Sequence, residues 1–206
     1  MVDLDIFQIQ ENLVLLAYPS NFGREYKFKA ETEKFLNAFK DFLLISVDDS
    51  KDFIKGYYKD HIVQKVNAFD ISDKEVIKLV DQATHLLIFW DGTEHTKFIY
   101  QAIARNKPLK LIPIETTKVV NRNLEEDFDL YIGRKSPWGN PFIIDKDGNR
   151  EEVIAKYRTH FYETILKDES KRKALLSLKG KKLGCHCKPL ACHGDVIAEY
   201  LNSIED

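Results

Sequence analysis

Short apolar runs alternate with amphipathic segments along the first half of the chain. Continuous runs of this length are typical of buried strands, and they occupy residues 13–17, 42–47, 85–90 and 109–114. Apolar side chains at helical spacing fill the intervals, at residues 30–40, 72–80 and 96–105. Ser72 and Glu75 have the spacing of a capping box, which predicts where the second of these helices begins.

Strands that alternate with helices favour a parallel sheet joined by right-handed crossovers. We therefore predict an α/β fold for residues 1–118, a Rossmann-like parallel sheet with helices on both faces. Ligands of such sheets bind outside the carboxyl ends of the strands. In this chain the strand ends at which we expect a ligand are residues 18–23 and 91–96.

The pattern changes after residue 118. Residues 119–126 are polar and predict a linker, after which a short strand leads into a loop rich in glycine and proline. An apolar stripe predicts a helix through Val153, Ile154, Tyr157, Phe161 and Ile165. A short helix at 170–178, a buried strand at 182–184 and a helix starting between residues 192 and 195 follow. Residues 119–206 thus predict a second, smaller α/β module.

Composition excludes several classes of protein. The 206 residues are 44% hydrophobic and 31% charged, which is typical of a globular chain. A net charge of −2 argues against a protein that coats polymeric nucleic acid. No apolar run reaches about 18 residues, so no membrane span is predicted. The acidic first five residues lack a signal-peptide pattern, and three clustered cysteines do not suggest a disulfide framework. A reducing, cytoplasmic location is expected.

Residues 185–195 hold all three cysteines and two of the six histidines. A helix start in this loop would bind anions and lower the pKa of a cysteine placed there. On that basis Cys192 is a candidate nucleophile, His193 a candidate acid or base, and Asp195 a group that orients an imidazole or acts on a sugar hydroxyl.

Two other interpretations of the same loop remain open. Cys185, Cys187, Cys192 and His193 offer four zinc ligands, but the C-x-C-x4-C-H spacing is cramped. We therefore predict no metal and no cofactor. Cys185 or Cys187 could also be a small buried packing residue.

Two further loops carry polar residues that suit a ligand. Arg134 in a glycine-rich loop suits a phosphate, and Trp138 offers a flat face for a base. The candidate ligand-binding residues are Gly133, Arg134, Ser136, Trp138 and Asn140 in one loop, and Asp91, Gly92, Thr93 and Thr96 in the other. The alternatives are an ordered loop whose tryptophan fills a small core, and an ordinary strand-to-helix turn with a helix cap. Trp90 is interpreted as a core residue.

The run Phe89-Trp90-Asp91-Gly92-Thr93, followed by Thr96, Ala102 and Lys107-Pro108-Leu109, resembles the SLOG superfamily of Rossmann-like domains. The resemblance covers roughly the first half of the chain. It implies binding of nucleotides or nucleotide-derived ligands. Some relatives, the Lonely Guy phosphoribohydrolases, cut N-glycosidic bonds. This chain departs from the family after the first strand, where residues 18–24 replace the usual Gly-Ser-Arg.

The second half resembles a domain of unknown function, number 4326. The resemblance rests on the G-R-x-S-P-W-G-N-P-F run at 133–142, the R-E-E-V-I-x-x-Y-R helix at 150–158 and the cysteine loop. It covers about 70 residues and implies no activity by itself.

Together these patterns predict a protein that binds and processes a nucleotide or nucleoside derivative. The expected activity is hydrolysis or transfer at an N-glycosidic or phosphoester bond, with the three loops converging on one cleft. The alternative is a non-catalytic sensor or sequestering protein for a nucleotide-derived signal. The expected partner is a small nucleotide-like molecule, with no membrane and no polymeric nucleic acid, and the chain could form a homo-oligomer.

Overall fold

A computed structural model describes residues 12–124 and 127–205. Residues 1–11, which include the segment without a signal-peptide pattern, lie outside the described residues. The chain folds into two compact units. The first comprises residues up to Ser20 and Glu25–Ile114, and the second comprises Asn21–Arg24 and the chain from Glu115 onward.

The first unit is built on a parallel sheet of five strands in the order β3-β2-β1-β4-β5. The strands are β1 Asn12–Ala17, β2 Phe42–Val47, β3 Ile62–Val66, β4 His85–Trp90 and β5 Leu109–Pro113. The four predicted strands are therefore confirmed. The prediction missed β3, because this edge strand has an exposed middle, Val63 to Lys65, and lacks a continuous apolar run.

Helices flank this sheet: α1 Glu25–Leu36, α2 Phe53–Tyr58, α3 Asp73–Gln82 and α4 Thr96–Ala104, with a 3₁₀ turn at Lys59–His61. The predicted capping box is present, since Ser72 Oγ accepts the Glu75 N–H at 3.3 Å and the Glu75 carboxylate accepts the Ser72 N–H at 3.1 Å. The helix predicted at 30–40 in fact begins five residues earlier and ends at Leu36. The α/β fold class is confirmed.

The second unit contains a smaller parallel sheet in the order β6-β8-β7, made of β6 Lys118–Asn121, β7 Leu130–Tyr131 and β8 Lys182–Cys185. The prediction of a linker at 119–126 was wrong, because Val119 and Val120 pair with Leu183 and Gly184 in this sheet. Two valines were too short a run to be recognised as a strand.

The remaining elements of the second unit pack on one core. They are a 3₁₀ turn at Arg122–Leu124, α5 Arg150–His160, a π-helical segment Phe161–Ile165, α6 Glu169–Leu176 and α7 His193–Ser203. The predicted stripe is buried at Val153, Tyr157, Phe161 and Ile165. The segment from Asn21 belongs to this unit because the buried Arg24 donates to the Glu115 carbonyl at 3.0 Å. Among the described residues no helix has the length and apolar character that crossing a membrane requires.

Candidate functional site

The first unit has a cavity of about 990 Å³ at the carboxyl ends of its strands. Its wall includes the residues after β2 and β3 and the first turn of α4. The strand order reverses between β1 and β4, the position at which ligands of doubly wound sheets bind. The cavity also has the size of typical small-molecule sites. We call it the strand-end pocket.

Backbone strain is concentrated in this pocket. Five described residues other than glycine have positive φ, and three of them, Asp48, Asp52 and His95, line the strand-end pocket. Such conformations each cost of order 1–3 kcal/mol and cluster at ligand sites. The surrounding hydrogen bonds must therefore hold these three residues in place.

Two carboxylates supply much of that support. Asp49 accepts the Tyr18 hydroxyl at 2.5 Å and the N–H groups of Ile54 and Lys55 at 3.0 and 2.8 Å. Burial and the hydrogen bond to Asp49 raise the pKa of Tyr18 well above its usual range, so this hydroxyl stays a donor. Glu94 accepts both the N–H and the hydroxyl of Ser20, at 2.9 and 2.8 Å. These bonds connect the loops that follow β1, β2 and β4.

His95 and Asp48 form a second contact in the pocket wall. The His95 side chain is 2% exposed, and its Nε2 lies 2.9 Å from the Tyr18 carbonyl. Its Nδ1 lies 3.7 Å from Asp48 Oδ2, while Asp48 Oδ1 accepts the Ala68 N–H at 2.8 Å. The contact leaves Asp48 partly exposed at the pocket surface.

The predicted loop at 91–96 contributes to the pocket through some of its residues. Thr93 and Thr96 line it, and Thr96 Oγ1 donates to the Thr93 carbonyl at 2.6 Å. Asp91 instead organises the turn, since its Oδ1 accepts the N–H groups of Thr93 and Glu94 at 3.0 and 3.1 Å. Gly92 has a φ of 89°, which side-chain-bearing residues rarely adopt. Trp90 packs against the core, as predicted.

The second unit contains a separate pocket of about 270 Å³, which we call the cysteine pocket. Gly133, Arg134 and Asn140 of the glycine-rich loop line it, together with the cysteine loop and Arg150 of α5. Asn140 also fixes the loop, because its side chain donates to the Val153 carbonyl at 3.1 Å and accepts the Phe142 N–H at 2.9 Å. Two of the three predicted loops therefore share one pocket, and the third lines the strand-end pocket.

The predicted stacking role of Trp138 is not supported. Trp138 is 6% exposed and belongs to the core of the second unit, where its carbonyl accepts the Tyr157 hydroxyl at 2.7 Å. The alternative interpretation, a tryptophan that fills a small core, is the correct one. Ser136 is likewise a loop residue, since its Oγ accepts the Trp138 N–H at 3.2 Å.

The three cysteines and His193 meet at the floor of the cysteine pocket. Cys185 ends β8, Cys192 immediately precedes α7, and His193 is the first residue of that helix. The Sγ atoms of Cys185 and Cys187 are 3.7 Å apart, and Cys192 Sγ lies 3.6 Å from His193 Nδ1. The ligand atoms of Cys185, Cys192 and His193 all lie within 4.8 Å of one another.

The expectation of an acidic Cys192 thiol was wrong. Hydrogen bonding to Cys185 and Cys187, together with burial, raises the pKa of Cys192. Hydrogen bonding to Cys185, Cys192 and His193 instead lowers the pKa of Cys187. Burial by itself would lower the pKa of His193, but hydrogen bonds to Cys185 and Cys187 raise it to about 9. The neighbouring thiols and burial therefore outweigh the helix start at Cys192.

The contacts of Asp195 stabilise the start of α7 and the loop before it. Its Oδ2 accepts the Cys192 N–H at 2.9 Å, and its Oδ1 pairs with Lys188 Nζ at 2.6 Å. It does not line the cysteine pocket. Asp195 thus completes a capping box at the start of α7.

Sequence reasoning missed the residues after β2 and β3. Asp48 and Asp49 follow β2 directly, and Lys65 and Phe69 lie at and beyond the end of β3. Ligands bind at the carboxyl ends of parallel strands, and this rule was applied only to the first and third predicted strands. Applied to the second predicted strand as well, it would have found the two aspartates. Lys65 and Phe69 could not be found in this way, because β3 itself was not predicted.

Comparison with known proteins gives two family matches in chain order. Residues 11–120 match the minimal SLOG domain, and residues 116–203 match a domain of unknown function (DUF4326). An uncharacterized 12.4 kDa protein encoded in the nrdA-td intergenic region of Enterobacteria phage T4 is similar to this chain. It is 41% identical over 88 residues, which cover 42% of this chain and 79% of the phage protein. No solved structure matches.

Proposed function

Because this chain belongs to the minimal SLOG domain family, we propose that its strand-end pocket binds a nucleotide or nucleoside derivative. SLOG domains form a nucleotide-binding superfamily. The observation that carries the proposal is the position of the pocket, at the carboxyl ends of a doubly wound parallel sheet with the first turn of α4 in its wall. A helix start offers N–H groups and the positive end of a dipole to a phosphate.

Three side chains around the pocket fit the parts of a nucleotide. Phe69 is 90% exposed, which is unusual for a large apolar ring and suits stacking on a base. Lys65 at the end of β3 is exposed and supplies a positive charge for a phosphate. Asp48 Oδ2 can accept a hydrogen bond from a sugar hydroxyl.

The finer activity we propose is hydrolysis or transfer at an N-glycosidic or phosphoester bond. Asp48 is the best-placed acid or base, since it is partly exposed in the pocket and its Oδ2 lies 3.7 Å from His95 Nδ1, beyond hydrogen-bonding distance. In this proposal Cys192, His193 and Asp195 are not the reacting groups, because two are buried and the third caps α7.

A non-catalytic sensor is the second candidate, and one observation favours it. Asp49 and Glu94 use their carboxylate oxygens to hold the pocket loops together. Groups committed in this way are poor proton carriers, so binding without turnover needs no further residue.

The test is calorimetric titration of the full chain with a panel of nucleotides, nucleosides and nucleotide sugars. Phe69→Ala should weaken binding about 5- to 150-fold, because stacking on an aromatic ring is worth about 1–3 kcal/mol per base. Lys65→Ala should weaken binding of phosphorylated ligands and leave nucleosides unaffected. Tyr100→Ala, 67% exposed outside the pocket, and Lys110→Ala on β5 are the matched controls.

Chromatography of the incubated ligand then separates the two functions. Product formation that Asp48→Asn abolishes supports the enzyme, and tight binding without product supports the sensor. Affinities that are the same in Phe69→Ala, Lys65→Ala and the controls would place the ligand elsewhere and refute the pocket assignment.

A further inference from the structure

We propose that Cys185, Cys187, Cys192 and His193 bind a zinc ion in the second unit. The proposal is independent of nucleotide binding, since every residue it uses belongs to the second unit. The expectation of no metal relied on the cramped sequence spacing. The folded loop removes that objection, because a strand end and a helix start bring Cys185, Cys192 and His193 together. Cys187, in the turn between them, has its Sγ 3.7 Å from that of Cys185.

The distances fit tetrahedral zinc. With Zn–S bonds of about 2.3 Å and Zn–N bonds of about 2.0–2.1 Å, a tetrahedron places two sulfurs about 3.8 Å apart and a sulfur and a nitrogen about 3.6 Å apart. Cys185 Sγ and Cys187 Sγ are 3.7 Å apart, and Cys192 Sγ and His193 Nδ1 are 3.6 Å apart. The ligand atoms of Cys185, Cys192 and His193 all lie within 4.8 Å of one another, which is close to the separations in a zinc tetrahedron.

The orientation of His193 is that of a metal ligand. Its Nε2 lies 2.9 Å from the Ile132 carbonyl, which can only accept, so Nε2 carries the proton. In the neutral ring Nδ1 then presents its lone pair to the sulfurs. A second ring nitrogen that donates to a backbone carbonyl is the usual means of orienting a ligating histidine. Tyr157 fixes the same ring from the side, with ring centroids 5.0 Å apart.

The surroundings also suit three thiolates. Cys192 Sγ accepts the Gly194 N–H at 3.3 Å, and a β-carbon at Gly194 would lie 2.5 Å from Ile132 Cδ1. Glycine thus lets the start of α7 pack closely against Ile132, whose carbonyl orients His193. Arg150 lies beside Cys187 and donates to the Ala191 carbonyl at 3.2 Å, which places positive charge next to a site whose net charge with zinc would be −1.

Four protein ligands make this a closed, structural site. Zinc there joins the end of β8, the loop that follows and the start of α7, so the binding free energy contributes to folding of the second unit. Zinc binds the three cysteines as thiolates and His193 as the neutral imidazole, so every proton that these four groups carry beforehand is released on binding.

The experiment uses the full chain purified under reducing conditions without chelator. Elemental analysis should find equimolar zinc, and cobalt(II) exchanged into the site should give the intense thiolate charge-transfer bands and tetrahedral ligand-field bands of a sulfur-rich centre. Cys192→Ser and His193→Ala should lose the metal. His186→Ala is the matched control, because this exposed histidine lies in the same loop and contacts Asn123 through Nδ1 at 3.0 Å.

Metal retained in His186→Ala and lost in His193→Ala supports the site. If either ligand variant is insoluble, the cobalt(II) spectrum of the unmodified chain decides by itself. A chain without stoichiometric metal that also gives no thiolate bands with cobalt(II), or zinc content unchanged by His193→Ala, would overturn the proposal. Neither result bears on nucleotide affinity, which is measured separately in the first unit.

Discussion

The strand-end pocket and the cysteine pocket both lie at the carboxyl ends of parallel strands, but they differ in volume and in the side chains that line them. The first is a wide cavity lined by carboxylates, lysines and hydroxyl groups together with apolar side chains such as Phe69, Ile71 and Phe98. The second is about a quarter of that volume and has three sulfurs and an imidazole at its floor. Sheet topology determines where a site lies, and the side chains at the strand ends determine its chemistry.

The two pockets also differ in how they are held in shape. Hydrogen bonds to Asp49, Glu94 and His95 maintain strained loops in the first unit. In the second unit, packing against buried aromatic rings positions the cysteines and His193. The first pocket should therefore respond most to loss of polar groups, and the second to loss of apolar volume.

Tyr157→Ala should have the largest effect on stability. Tyr157 is fully buried, packs against His193 and donates to the Trp138 carbonyl. Removing a buried ring of this size costs about 3–5 kcal/mol. Tyr162→Ala, five residues along and 42% exposed, should cost less than about 1 kcal/mol. Urea denaturation measures both, and equal losses would show that packing at Tyr157 does not determine the stability of this unit.

His95→Ala should lower the free energy of unfolding by about 1–3 kcal/mol, since it removes the partner of a buried carbonyl at Tyr18. Affinity for a nucleotide in the strand-end pocket should fall with it, because the loop carrying Thr93 and Thr96 loses one of its contacts with the residues that follow β1. His186→Ala should remain within about 0.5 kcal/mol of the unmodified chain. A stable His95→Ala variant would mean that the loop is held by its other bonds alone.

Most of the first unit could be predicted from sequence because its strands are buried on both faces. β1 and β4 consist largely of fully buried residues, so they appear as continuous apolar runs. β3 lies at an edge, and its three middle residues, Val63 to Lys65, are all exposed, so it has no continuous apolar run. β6 is four residues long and depends on pairing with β8, a contact that periodicity does not reveal.

Some features of the candidate sites could also be predicted from the sequence, and others could not. The cysteine loop was recognised from composition, but the prediction of no metal was based on spacing along the chain, which does not give distance in space. Cys185 and Cys192 are seven positions apart, but their sulfurs are neighbours once β8 and α7 are formed. Burial also could not be read from sequence, so Trp138 was assigned to a ligand and Cys192 was expected to be acidic.

Asp195→Ala tests the predicted catalytic role directly. If Asp195 only caps α7, its loss should cost about 1 kcal/mol and leave ligand turnover unchanged. Glu152→Ala is the matched control, because Glu152 occupies the same position in the capping box of α5 and accepts the Asn149 N–H at 2.8 Å. Turnover lost in Asp195→Ala and kept in Glu152→Ala would restore the catalytic hypothesis.

The smallest effect on stability should come from His85. The pKa of His85 is lowered in the folded chain, whereas that of His193 is raised. His85 begins β4, and its ring packs edge-on against Phe39 with centroids 4.8 Å apart. Burial lowers the pKa of His85 below its usual 6.5. The unfolded chain therefore binds a proton at a higher pH than the folded chain, and unfolding takes up a proton between the two pKa values.

It follows that the contribution of His85 to stability is complete above pH 6.5 and is lost as the pH falls through the folded-state pKa. His85→Gln removes this titration while keeping a polar side chain. The difference in urea midpoint between the unmodified chain and His85→Gln should thus shrink, or change sign, as the pH is lowered below about 6.5. A difference that stays constant across this range would show that His85 has the same pKa in the folded and unfolded chains, and that burial imposes no cost on the charged ring.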